Sequence, residues 1–144
     1  MNRKDLKDYK YNQEWIKEQM EYIEELNSTI NRLTTTLSDM PKGSKSIYDI
    51  EAEKIANLQD KIKEVYDYII EQQEKQNKIL EQLNKLESKN KLILTKIYIN
   101  GKSLVTAASE LGYEYKYMCV KHGEALTEFD KFDFNTKNKV ESRH

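Results

Sequence analysis

Between positions 102 and 123, cationic, phenolic and small side chains recur at helical spacing. When the chain is turned by about 100° per residue, Lys116, Cys119, Val120 and Gly123 fall on one side of a helix, with Tyr115 and Tyr117 at its start. Lys121 lies one residue beyond Val120, and Lys102 and Ser103 precede the helix before. A lysine ammonium can meet a phosphate or a guanine edge, and a valine methyl can touch a thymine methyl. Gly123 costs about 1 kcal/mol relative to alanine inside a helix, so its presence asks for a reason: a close approach to phosphate or to a neighbouring helix. These groups suit contact with double-stranded DNA. They do not assemble a reaction centre.

The rest of the chain offers no catalytic alternative. It has 2 histidines, one of them the last residue, and a single cysteine. Cys119 has no second thiol for a disulfide, and no cysteine cluster exists for a metal. Lys42, Gly43, Ser44 and Lys45 do not make a phosphate loop, because the glycine required four residues earlier is missing and no strand precedes them. The expectation is no enzyme, no cofactor and no metal.

Three positions predict the element that carries the outward face. Ala108 fits where two helices cross, Gly112 can take the positive φ of a tight helical turn, and Met118 can plug the angle between the helices. Ser103 is placed to cap a helix from Leu104 to about Leu111. Leu92, Ile93, Leu94, Ile97 and Ile99 give a first apolar helix that stops at Asn100-Gly101. The third runs from about Tyr115 to Asp130, with Met118, His122, Ala125 and Phe129 inward. This is the spacing of a helix-turn-helix, whose second helix enters the DNA major groove. The plainer reading is two short packed helices joined by a glycine turn. His122 is expected to be a core histidine with a hydrogen bond.

Two heptad series precede it. Tyr9, Ile16, Ile23, Ile30 and Leu37 form one row, joined by Leu26, Leu33 and Met40. These predict a helix from about Leu6 to Leu37, frayed toward its end by the run NSTINRLTTTL and preceded by frayed residues 1–8. A connection at 38–48 holds the only proline, Pro41. A second helix from Asp49 carries Ile55, Ile62, Ile69, Gln76 and Leu83 in one row and Leu58, Val65, Gln72, Ile79 and Leu86 in the other. Tyr9 is expected near Ile79 to Leu83, and Leu37 near Ile50 to Ile55. Gln72 and Gln76 either fix register inside the seam or lie on an overhang that sees water; the unequal helix lengths favour the overhang. The expected fold is all-α: an antiparallel coiled-coil hairpin over 1–88, a helix-turn-helix domain over 89–131 and a flexible tail over 132–144.

The net charge is −1, but residues 89–144 hold 10 basic and 7 acidic side chains. That excess is small for a phosphate-binding protein, so two copies of the unit or a partner are expected. A homodimer through the heptad helices is the simplest form. No apolar run reaches the length of a membrane span and no signal peptide core is present, so a cytoplasmic protein is expected.

The segment YINGKSLVTAASELGYEYKYMCVKHGEALTEF resembles the sigma-factor-like helix-turn-helix of small transcriptional regulators in phages of Gram-positive bacteria, of the RinA and ArpU type. The residues that carry the resemblance are Tyr98, Ile99, Gly101, Ser103, Ala108, Leu111, Gly112, Tyr113, His122, Gly123, Ala125 and Leu126. Met40-Pro41-Lys42-Gly43-Ser44 is similar to the linker between two coiled-coil helices in such proteins. Glu114 stands where that pattern has a serine cap, and Cys119, Val120 and Glu124 replace basic or polar residues. The resemblance implies phage or prophage origin and control of late transcription, hence a bacterial host cytoplasm; the hairpin is then expected to act as an oligomerisation arm or a docking surface for RNA polymerase. A small terminase-like packaging subunit, or a coiled-coil binder of a host protein, are the alternatives.

Overall fold

A computed structural model describes residues 1–39 and 45–133. Its order is α1 (Arg3–Ser38), α2 (Lys45–Asn84), α3 (Ser88–Leu94) running on into a π-helical turn (Thr95–Ile99), α4 (Leu104–Leu111) and α5 (Tyr115–Lys131). The fold is all-helical, with no strand among the described residues. No helix among them is long and apolar enough to cross a membrane.

The described residues pack as two compact units, one of Met1–Gln13 with residues 73–133, the other Glu14–Gln72. The packing therefore divides inside α1 and α2 rather than at the expected boundary after 88.

In the unit Glu14–Gln72, Ile16, Ile23, Val65 and Ile69 make the buried seam, with Ile62 against it. The seam thins toward residues 38 and 45: Leu37 and Ile55 are half-buried and Ile50 is 54% exposed. The α1 end does not fray before Ser38. Thr29, Thr35, Thr36 and Ser38 each donate a hydroxyl to the carbonyl four residues back, which satisfies the hydroxyls within the helix they otherwise weaken. The expected loop over 38–48 is shorter, because α2 already begins at Lys45; residues 40–44, and with them the linker motif, lie outside the described residues.

In the other unit, Leu6, Tyr9, Ile79, Leu83, Leu86, Leu94, Ala125, Leu126 and Phe129 form one core. Three expectations are corrected there. Residues 1–8 are not frayed: α1 starts at Arg3, and Leu6 is fully buried. Its first turn is held by a reciprocal pair, with Asn2 N donating to Asp5 Oδ2 and Asp5 N to Asn2 Oδ1, both at 2.9 Å, the arrangement of a capping box. Because α1 reaches Ile79 and Leu83, α2 does not overhang at Gln76, whose Nε2 is buried without a hydrogen-bond partner. Asp133, expected in a flexible tail over 132–144, is instead buried and accepts from the Met1 ammonium at 3.2 Å; residues 134–144 lie outside the described residues.

Polar bridges tie the elements of this unit together. Gln82, 5% exposed, donates from Nε2 to the carbonyls of Met1 (2.8 Å) and Phe129 (2.9 Å). Arg3 Nε donates to Asp130 Oδ2 at 2.9 Å. Glu128 on α5 accepts from the Glu87 amide at 2.6 Å and from Asn90 Nδ2 at 3.1 Å, which fixes the start of α3.

Candidate nucleic-acid interface

The turn between α4 and α5 has the local geometry its residues predict. Ser103 Oγ accepts from the Thr106 amide at 3.1 Å and caps α4. Gly112 ends that helix at φ 71°, a left-handed conformation that costs other residues about 1–2 kcal/mol. The Tyr113 amide then returns to the Ala108 carbonyl at 2.9 Å, and the Gly112 amide to Ser109 at 3.2 Å. Beneath the turn, Ile93, Ala107, Ala108 and Met118 form a buried cluster flanked by Ile97, Leu104, Leu111 and Tyr113. Small alanines let α4 approach, and Met118, with no exposed surface, fills the angle between helices.

The preceding helix reaches this turn through a wide spiral. Asn100 N donates to Thr95 O at 2.9 Å, an i to i+5 bond, and Lys102 N donates to Lys96 O at 3.0 Å. Gly101 follows at φ 73°. A π-helical turn accommodates one extra residue in a helix, and nothing in the apolar spacing of Ile93, Ile97 and Ile99 signals it.

The inward side of α5 is wider than expected. Ala125, Leu126 and Phe129 are buried with Leu6 and Leu83, whereas Met118 belongs to the cluster under α4. His122 is half-buried, and its Nε2 lies 2.7 Å from the Tyr98 hydroxyl. Burial, then Lys7 and Arg3, push its pKa below the usual histidine value.

The outward side contains Lys116, Cys119, Val120 and Gly123, all exposed, with Tyr115 at 54% and Val120 at 60%. Gly123 meets no neighbour: a Cβ built there finds no atom within 4 Å. An approaching helix of this chain is therefore not the reason for the glycine. Tyr115 lies against Cys119, whose thiol contact raises the phenol pKa.

Other expected contact residues are already engaged. Lys102 and Lys96 both bind Glu110, and these bonds hold the Glu110 carboxyl below its ordinary pKa. Lys121 pairs with Glu124 at 3.0 Å. Ser103 spends its hydroxyl oxygen on the α4 cap and its hydrogen on Thr106 Oγ1 at 2.9 Å. Glu114 occupies the N-cap position of α5 but makes no side-chain cap bond.

One basic residue was missed in the sequence. Lys89, in the first turn of α3, donates from Nζ to the Tyr117 hydroxyl at 2.6 Å. The same ammonium lies 5.2 Å from the centre of the Tyr113 ring and 5.1 Å from that of Tyr117. The two rings meet edge to face at 5.0 Å. Lys89 stands in the polar break between the heptads and the next apolar helix, so only the three-dimensional packing brings it to α5. Among the described residues no group of His, Cys, Asp and Glu side chains could hold a metal.

What this arrangement can do is present a helix face, lightly charged and ringed by phenols, to a larger surface. Comparison of the chain with protein-family models, with curated proteins and with solved structures returns no match.

Proposed function

We propose that this protein is a sequence-specific DNA-binding regulator of phage or prophage late transcription. In this reading α5 enters the major groove, with Lys116 and Val120 toward the bases and Tyr115 and Tyr117 at the groove edge. The α1 and α2 heptads serve as the arm that pairs two copies or docks on RNA polymerase. The observation that carries the reading is the α4–Gly112–α5 turn, whose Ser103 cap, left-handed glycine and Met118 plug leave the opposite side of α5 uncovered. The family resemblance of the same segment supports it. Exposed Trp15, Tyr22 and Tyr68 beside the seam of the Glu14–Gln72 unit support a second copy on that arm.

The test is footprinting on the late promoter region of the genome that encodes the protein. Wild-type protein is expected to protect a discrete site, and Lys116→Ala with Lys121→Ala to weaken that protection. Equal protection by the double variant refutes α5 as the reading helix. The engagement of Lys102 and Lys121 by carboxylates favours the second reading, a coiled-coil binder of a host protein; absence of salt-dependent DNA binding at low ionic strength would select it. A ring of eight or more subunits in solution would instead select the packaging-subunit reading.

A further inference from the structure

The partners of the Lys89 ammonium are the phenols of Tyr113 and Tyr117 rather than a carboxylate. Lys121 reaches the same ring from its own helix, with Nζ 5.6 Å from the Tyr117 centroid. Two ammonium groups, from α3 and α5, therefore converge on one aromatic side chain. Each ammonium finds a favourable partner in the phenol, but the two cations repel one another. That repulsion is felt at Lys121, where Lys89 acts to lower its pKa against the larger raising effect of Glu124.

These groups keep donors beyond the bonds described. The Tyr117 oxygen accepts from Lys89, so its own hydrogen remains to be donated. Lys89 has three ammonium hydrogens and shares at most two of them with the Tyr117 and Tyr113 phenols. Lys121 has one carboxylate partner, Glu124, which is itself exposed. An anion placed between the two ammonium groups would relieve their repulsion and take hydrogen bonds from a phenol and two cations. The rings restrict the lysines beforehand, which reduces the side-chain entropy lost when the anion binds. At 100° per residue, Tyr117 and Lys121 flank the outward face on the side of Val120.

We propose that Lys89, Tyr117 and Lys121 form a grip for one phosphodiester of DNA at the edge of α5. This deepens the DNA-binding reading and rests on it. Lys89 thereby becomes a contact from outside the two helices of the turn, and it sets how far α5 can rotate in the groove. The phosphate sits over the edge of Tyr117, and Lys121 exchanges Glu124 for it.

The test uses the full chain and a fluorescently labelled mixed-sequence duplex, with affinity measured by anisotropy across a sodium chloride series. Lys89→Met lets Lys121 return to Glu124, so it is expected to make the slope of log affinity against log salt shallower by about 0.9, the loss of one phosphate contact. Lys89→Arg is expected to retain the wild-type slope. Tyr117→Phe keeps the ring and its packing but removes the donor, so it is expected to weaken binding several-fold with little change of slope. A Lys89→Met slope equal to wild type overturns the grip while leaving DNA binding intact. If Lys89→Met does not fold, wild-type affinity in Tyr117→Phe overturns it instead. No salt-dependent binding by the wild-type protein overturns both the DNA reading and the grip.

Discussion

Two glutamines on α2 are expected to respond in opposite directions to one substitution. Gln82 is 5% exposed and donates two hydrogen bonds, to Met1 O and Phe129 O. Gln76 has its amide nitrogen buried with no acceptor. Leucine and glutamine have nearly equal helix propensity, so Gln→Leu at each site reports on the hydrogen bonds. At Gln82 two bonds with a net worth of about 0.5–1.5 kcal/mol each are lost. The Phe129 carbonyl keeps a bond from Phe132 N at 3.1 Å, so a cost of about 1–2 kcal/mol is expected. At Gln76 the substitution removes a desolvated donor that costs about 1–3 kcal/mol and continues the apolar heptad row into Leu83. A gain of about 1 kcal/mol is expected there. Urea unfolding followed by circular dichroism measures both, and 1 kcal/mol moves the midpoint by about 0.5 M. A lower midpoint for Gln76→Leu at unchanged slope would refute the reasoning, since it would mean that Gln76 is satisfied in solution.

Two further outcomes concern the turn and the half-buried histidine. Gly112→Ala is expected to cost about 1 kcal/mol, the left-handed penalty less the gain from restricting the unfolded chain; the site is open, with nothing within 4 Å of a new Cβ. Gly101→Ala should cost the same or slightly more, because its Cβ would meet Lys10 Cε at 3.1 Å, the far end of a flexible side chain; thermal melts rank the two, and a neutral Gly112→Ala would contradict the left-handed assignment. For His122 the folded pKa lies below 6.5, by burial first and then by Lys7 and Arg3. The unfolded chain therefore binds the proton first as pH falls, so the stabilisation is complete above about 6.5 and is lost as pH drops through the depressed folded value. Melting temperature should decline from pH 7 to pH 5.5 in the wild type and stay level in His122→Gln; equal declines would assign the effect to other groups.

The features legible in the sequence are those set by neighbours along the chain. The Ser103 cap, the Gly112 turn and the heptad rows each depend on residues within a few positions, and their placement agrees with the structure. Local spacing also identified Lys116, Cys119, Val120 and Gly123 as exposed. What escaped depends on distant partners. Leu6 stands alone between charged residues in RKDLKDY, and its burial follows only from packing with Ile79, Leu83 and Phe129. The Asn2–Asp5 reciprocal pair was the one local sign that a helix starts there. Lys89 reaches Tyr117 across 28 residues, and Lys102 loses its freedom to Glu110 on another element, whereas the Lys121–Glu124 pair, three residues apart on α5, was open to the spacing. The π-helical turn at Thr95–Ile99 leaves no mark on the apolar pattern.

The pairing of Arg3 with Asp130, 127 residues apart, has a consequence for synthesis on the ribosome. The first thirteen residues leave the exit tunnel long before any segment that completes their compact unit has been made. At about 5–20 residues per second, Leu6 and Tyr9 wait many seconds for Leu126 and Phe129. During that interval the Glu14–Gln72 unit has all of its own residues and can close first. The unit that carries the candidate interface thus closes after the other, and a nascent or truncated chain lacking α5 leaves Leu6 and Tyr9 without Ala125, Leu126 and Phe129 to complete their core.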